Sequence, residues 1–184
     1  LTILRWNGAN WLCAGGLPVV DQDLNSVSMA SATDGWAVGD RLGASNNQWT
    51  FLRWTGSWNQ FSVTTGVNAQ NLNSVHMVSS TDGWAVGNRR GCANPGLTIL
   101  RWNGANWLCA GGLPTIDRNL NSVYCNSAAD CWAVGNPVGG ASLILHWDGA
   151  SWSLYPTPST TQLNGVFMVR PQNFLRLSDW QEAY

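Results

Sequence analysis

Lysine is absent from this 184-residue chain, glutamate occurs once, at Glu182, and histidine twice, at His76 and His146. Charge is sparse, at 10% of residues, and nine arginines against ten acidic residues give a formal net charge of −1. That balance offers no electrostatic case for nucleic acid or an anionic membrane surface. A single glutamate excludes the paired-glutamate form of glycoside hydrolysis and leaves only aspartate pairs. No G-x-S-x-G phrase occurs, and neither histidine sits near a plausible acid partner in sequence for serine catalysis. Two histidines and scattered cysteines supply no zinc-type ligand spacing, so no metal and no cofactor is expected. No run approaches the roughly 20 apolar residues of a membrane helix, so this segment is not expected to insert in a membrane. Solubility must rest on Asn, Ser, Thr, Gln and Gly. Such an uncharged polar surface suits an extracellular protein.

What the chain has instead is tryptophan and repetition. Thirteen tryptophans are its main apolar resource. The 18-residue phrase LTILRWNGANWLCAGGLP occupies positions 1–18 and again 97–114, 96 residues apart. LNSV begins at Leu24, Leu72 and Leu120, at intervals of 48, and LNGV begins at Leu163 after 43 more. Periods of this size mark one supersecondary unit copied beside itself.

The unit reads L-N-S-V-x-M, a short polar turn, D-G-W-A-V-G, a variable stretch, x-I-L-R-W, N-G-A-N and W. Short apolar runs separated by Gly, Asn, Asp and Ser predict strands, and no segment sustains a 3.6-residue period. Four strands per unit are expected, in the first complete copy at 24–29 (a), 36–39 (b), 50–54 (c) and 58–63 (d). Four short strands at this period predict an all-β fold, a β-propeller of four-stranded antiparallel blades. Units at 24–71, 72–119 and 120–162 are complete. Residues 1–22 supply strands c and d of another, and 163–184 supply strand a and a degenerate b, in which Phe174 replaces the repeated Trp and Arg176 a Val. The two ends together make a fourth blade, so the ring closes at four or forms an arc of a larger one; an incomplete ring allows a homo-oligomer. The chain opens in mid-repeat, so a piece of a longer protein is expected.

The phrases Asp34–Gly39 and Asp82–Gly87, with the corners Trp6–Trp11 and Ile144–Trp152, resemble bacterial propellers of the sialidase-like, Asp-box-related kind. The photosystem II assembly-factor propellers have a similar rhythm. The resemblance implies a structural turn between strands c and d; its Asp survives only as Asp148, with Asn7, Thr55 and Asn103 elsewhere. A sialidase would need a Tyr–Glu nucleophile pair, an acid/base Asp and an Arg cluster, and the only Glu lies in the unmatched tail.

The corner needs no family to explain it, because Asn-Gly and Asp-Gly suit two-residue hairpin turns with positive φ. Trp36, Trp84 and Trp132 in strand b, and Trp11, Trp58, Trp107 and Trp152 after the corner, read as blade-packing core. Arg5, Arg53, Arg101 and His146 recur once per blade, as do Asp34, Asp82 and Asp130, which predicts a repeated ion pair. Asn25, Asn73, Asn121 and Asn164, with Ser26, Ser74 and Ser122, read as channel-lining or backbone-satisfying groups in the innermost strand.

In the third unit Cys125 replaces Met and Cys131 replaces Gly on either side of one hairpin. That pair reads as a disulfide, two buried thiols being the alternative, and a disulfide implies export. Cys13 and Cys109 read as small buried apolar residues. Cys92 stands alone in a variable loop, exposed or paired outside the chain.

Divergence is concentrated in the b–c and d–a connections, which share one face of a propeller and are the place to seek recognition. There Arg89 and Arg90, with Arg41, are the candidates for binding a carboxylate or acidic sugar. Trp49 and Tyr155 are the aromatic candidates. The expected function is a non-enzymatic exported module presenting these loops to a protein or peptide. A glycan-binding lectin is the alternative, and a sialidase-like hydrolase lacking its catalytic blades is the second.

Overall fold

Each complete repeat folds as a four-stranded antiparallel meander in the computed structural model, which describes residues 2–18, 22–42, 48–63, 68–92 and 95–169. The first blade runs β3 (Leu24–Ser31), β4 (Asp34–Leu42), β5 (Gln48–Trp54) and β6 (Trp58–Gln60). The second runs β7 (Leu72–Ser79), β8 (Asp82–Gly87), β9 (Thr98–Trp102) and β10 (Trp107–Cys109). The third runs β11 (Leu120–Ser127), β12 (Asp130–Val138), β13 (Ala141–Trp147) and β14 (Trp152–Leu154). Strand neighbours follow chain order in all three sheets. Ahead of them β1 (Leu4–Trp6) and β2 (Trp11–Cys13) form a separate two-stranded sheet. The expected strand b is longer than its apolar core, and strand d shorter. Phe174, Arg176 and the expected last strand b lie outside the described residues.

The phrase L-N-S-V-x-M would place its Leu and Val on opposite faces of a regular strand. A register shift between Leu72 and Ser74 resets the alternation, and the same shift recurs at Leu24/Ser26 and Leu120/Ser122. Leu72, Val75 and Met77 therefore all turn into the core shared with the preceding blade. The asparagine at the shift turns to the following one. Asn73 Nδ2 donates to the Leu120 carbonyl at 2.7 Å, and Asn25 and Asn121 do the same to Leu72 and Leu163 at 3.0 and 2.8 Å. Serine continues the seam: Ser26, Ser74 and Ser122 accept from the backbone N–H of Val75, Val123 and Val166. The repeated amides and hydroxyls are thus backbone-satisfying links between inner strands. They satisfy groups that a strand edge would otherwise leave unpaired.

Tryptophans fill the space between blades. Trp36 meets Trp102 of the next blade at 4.7 Å and Trp107 at 5.4 Å; Trp84 meets Trp147 at 4.9 Å and Trp152 at 5.1 Å. Between each pair lies a guanidinium. Arg53 stands 5.3 Å from Trp36 and 5.2 Å from Trp102 while its Nε bonds Asp34 at 3.1 Å. Arg101 repeats this with Trp84, Trp147 and Asp82. In the third blade His146 takes the place, stacked on Trp132 at 4.1 Å and bonded to Asp130 at 3.0 Å. The expected repeated pair is present in all three complete blades. Arg5 stands 5.9 Å from Trp54, the same relation carried to the hairpin ahead of the first blade. The carbonyl end of the a–b turn receives the indole N–H of Trp54, Trp102 and Trp147. Each buried indole contributes about 2–3 kcal/mol of gross burial energy.

The corner keeps its positive-φ glycine but is not the two-residue turn expected: Trp6, Trp102 and Trp147 pair with Trp11, Trp107 and Trp152, leaving residues 7–10, 103–106 and 148–151 in the loops. Asn7, Asn103 and Asp148 each accept two backbone N–H bonds through one side-chain oxygen, and Gly8, Gly104 and Gly149 have φ near +100°. The N–H groups of Ser151 and Ala150 hold the Asp148 carboxyl below its ordinary range.

Two disulfides are present. Cys125 and Cys131 are bonded, directly opposite one another in the β11–β12 register. Two of the other cysteine expectations are corrected. Cys92 and Cys109 form the second bridge, which ties the stretch after β8 to the end of β10 in its own blade. Cys109 is therefore not an inert apolar residue, nor is Cys92 exposed or paired outside the chain. Cys13, the copy of Cys109, is exposed and free rather than buried.

Candidate functional site

The connections that diverge between blades meet at the end of the sheets where strand a begins. Their backbone is held by the following link. The Arg41 N–H donates to Asn71 Oδ1 at 3.1 Å and the Arg89 N–H to Asn119 Oδ1 at 3.0 Å. These equivalent bonds fix where each arginine leaves its strand. Arg90 then takes a left-handed backbone, φ 73°, uncommon for a residue with a Cβ, and its N–H bonds back to Gly96 across the connection.

That turn brings two guanidinium groups onto one carboxylate. Arg90 Nη2 lies 2.6 Å and Nε 2.9 Å from Asp117 Oδ2, with Nε also 3.2 Å from Oδ1. Arg89 Nη1 reaches Asp117 Oδ2 at 2.8 Å. Arg118 completes the group, its Nε on the Pro137 carbonyl and its Nη1 on the Asp117 carbonyl. The hydrogen bond from Arg90, then the charges of both arginines, hold the Asp117 carboxyl below its ordinary value. The same contact raises Arg90. Two guanidinium groups thus share one carboxylate, and a third lies beside it on main-chain carbonyls. The arrangement already binds a carboxylate, in this case the protein's own.

Of the five candidate residues, Arg89 and Arg90 are brought together. Arg41 occupies the equivalent place on the first blade. Trp49 is not a surface platform: it is 2% exposed, in the core between the first two blades. A side chain at Gly91 would collide with its ring, so Trp49 supports the Arg90 turn from beneath. Tyr155 begins the last d–a link and packs edge-on against Trp132. Sequence reasoning missed Asp117 and Arg118. The adjacent Asp-Arg, an opposite-charge pair in a chain with few charges, was the available signal.

It also missed a row of rings beside the repeated Asn and Ser. The position after LNSV carries Ser28, His76, Tyr124 and, in LNGV, Phe167. His76 and Tyr124 lie 4.4 Å apart and Tyr124 and Phe167 4.7 Å apart, lining a cavity of about 550 Å³. Burial lowers the pKa of His76, opposed by a hydrogen bond to the Cys125 backbone. The variable letter inside an otherwise constant phrase was the signal. Among the described residues, no three His, Cys, Asp or Glu side chains gather as a metal site. No helix there is long and apolar enough to cross a membrane.

No family model matches this chain, and no curated protein does. Among solved structures it is similar to YCF48 bound to a D1 peptide. The TM-score is 0.55 at 16% identity, covering 75% of this chain. With its consecutive four-stranded meanders, that likeness decides the architecture. The chain has a β-propeller fold. It spans 41% of the YCF48 chain. The inner strands of the blades are thus β3, β7 and β11, and the His76–Tyr124–Phe167 row lies along the wall of the axis.

Proposed function

We propose that this chain is a non-enzymatic, exported protein- or peptide-binding module that recognises an acidic segment on its b–c and d–a face. The observation that carries this reading is the cluster of Arg89, Arg90 and Arg118 around Asp117, on connections pinned by Asn71 and Asn119. Bidentate guanidinium contacts favour carboxylates and fix their orientation. Asp117 holds the place until a partner carboxylate displaces it. YCF48 has been solved with a peptide bound, which supports a peptide as the partner class. The two disulfides support an oxidising compartment and hence export. Asp34 and Asp82 are engaged in blade ion pairs and Asp130 in a hydrogen bond with His146, which supports a binding role over catalysis. Asp148 capping its turn is the feature that favours kinship with Asp-box propellers.

Fluorescence anisotropy with a panel of acidic, neutral and basic peptides tests the reading. Acidic peptides bind, and added salt weakens them. Arg89→Ser/Arg90→Ser lowers affinity at least tenfold, whereas Asp117→Asn, which frees both guanidinium groups, raises it several-fold. Binding that ignores both changes would falsify the proposal.

A further inference from the structure

The two connections that build the arginine cluster are joined covalently near their roots. Arg89 and Arg90 follow the end of β8 just ahead of Cys92, and the link that carries Asp117 and Arg118 begins just after Cys109. The Cys92–Cys109 bridge therefore ties the arginine side of the site to the carboxylate side. Across the site itself the two sides meet through the Arg89 N–H bond to Asn119 and the ion pairs on Asp117.

The backbone between bridge and guanidinium groups is tightly packed. Gly91 lies between Arg90 and Cys92. Its N–H donates to Thr98 Oγ1 at 2.8 Å, and a Cβ there would strike the Trp49 ring and the Thr98 side chain. On one side of it Arg90 holds its left-handed backbone, φ 73°. A residue with a Cβ keeps that conformation only where its surroundings impose it. The bridge is the covalent part of those surroundings, and a displacement of Cys92 reaches Arg90 through one packed residue.

Of the three complete blades, the bridged one is the blade with two adjacent arginines in its b–c connection. By backbone register, Arg41 and Leu42 stand at the places of Arg89 and Arg90 in the first blade, and Pro137 and Val138 in the third. Gln60 and Leu154 stand at the place of Cys109. This bridge is also the more accessible of the two. Cys125 and Cys131 are 6% and 0% exposed, whereas Cys92 and Cys109 are only partly buried. Exchange requires a thiolate to reach a bridge sulfur, so access selects Cys92–Cys109.

We propose that the Cys92–Cys109 disulfide is a redox latch on the carboxylate site, closed in the bridged protein and opened by a dithiol reductant. One thiolate of the dithiol attacks a bridge sulfur to give a mixed disulfide, and its second thiol displaces the cysteine. The dithiol becomes a disulfide, and Cys92 and Cys109 become thiols, with two electrons and two protons transferred. The bridged form holds Arg89 and Arg90 on one carboxylate, and the open form lets them separate. The site is thus assembled where dithiols are scarce, in keeping with an oxidising compartment. The latch rests on the reading of this cluster as a carboxylate site.

Two readouts test it, in a Cys13→Ser background that leaves no further thiol to exchange. The first needs no ligand. With the bridge intact, carboxyl-carbon NMR should titrate Asp117 below the ordinary aspartate range. Dithiothreitol, or Cys92→Ser/Cys109→Ser, should return it towards that range, while Cys125→Met/Cys131→Gly leaves it low. Alkylation and mass spectrometry identify which bridge has opened, and circular dichroism checks that the blades stay folded. The second readout is anisotropy of a fluorescein-labelled oligo-aspartate peptide, with Asp117→Asn added so that the internal carboxylate does not compete. Opening the Cys92–Cys109 bridge should lower affinity about tenfold, the scale of one lost charge-assisted hydrogen bond, and reoxidation should restore it. Peptide that binds equally with the bridge open and closed overturns the latch and leaves the binding reading intact. Peptide that never binds overturns the binding reading, and Asp117 then decides the latch alone: one titration curve for both forms overturns it. A dithiol that opens Cys125–Cys131 first overturns the latch as well, and so does a Cys125→Met/Cys131→Gly chain with an equal loss.

Discussion

His76 illustrates how one residue in the repeat is free to vary. Ser28, its counterpart, accepts a hydrogen bond from the Met77 N–H and closes the seam between inner strands. The imidazole keeps a link to the same strand position, Cys125, and adds a ring against Tyr124. Burial makes the charged form unfavourable, so the folded protein holds His76 below its ordinary pKa of 6.5. As pH falls through that ordinary value the unfolded chain takes up a proton that the folded chain does not. Stability is therefore expected to decline as the solution is acidified from pH 7.5 towards 5.5. Thermal melts of His76→Gln, compared with the parent across that interval, should show a shallower decline. An unchanged slope would remove His76 from the pH response.

At the scale of the element, one hairpin shows how a position pair is exchanged as a unit. In the first two blades a Cβ on Gly35 or Gly83 would strike the sulfur of Met29 or Met77, so the methionine needs glycine opposite it. In the third blade both change together, and a disulfide fills the space that a thioether fills elsewhere. Installing the pair of the other two blades, Cys125→Met/Cys131→Gly, should therefore leave the fold intact and cost about 2 kcal/mol, the chain-entropy value for so short a loop. Urea melts measure it. Failure to fold would mean that the methionine packing cannot be transplanted. This hairpin was legible from two coincident substitutions in one repeat. Cys92–Cys109 was not, because Cys92 has no counterpart in the other blades and the return path of a variable connection leaves no periodic trace. Arg89 and Arg90 were legible as a charged pair, whereas their partner Asp117 lies in the next link, where only the ring arrangement brings it near. Trp49 was misplaced for a related reason: it stands beside a divergent loop in sequence but faces the adjacent blade in space.

At the scale of the molecule, repetition made the blade and its strands readable, and burial depends on neighbours the repeat does not encode. The phrase shared by positions 1–18 and 97–114 is the sharpest case. Its tryptophans become core at Trp102 and Trp107 because a complete blade precedes them, and remain at the surface at Trp6 and Trp11. Tryptophan oxidation read by mass spectrometry tests this directly, since trypsin cleaves after Arg5 and Arg101 and the two peptides differ beyond Pro18 and Pro114. The peptide starting at Trp6 should oxidise well before the peptide starting at Trp102, which stays protected until the protein unfolds. Equal rates for the two would contradict the account.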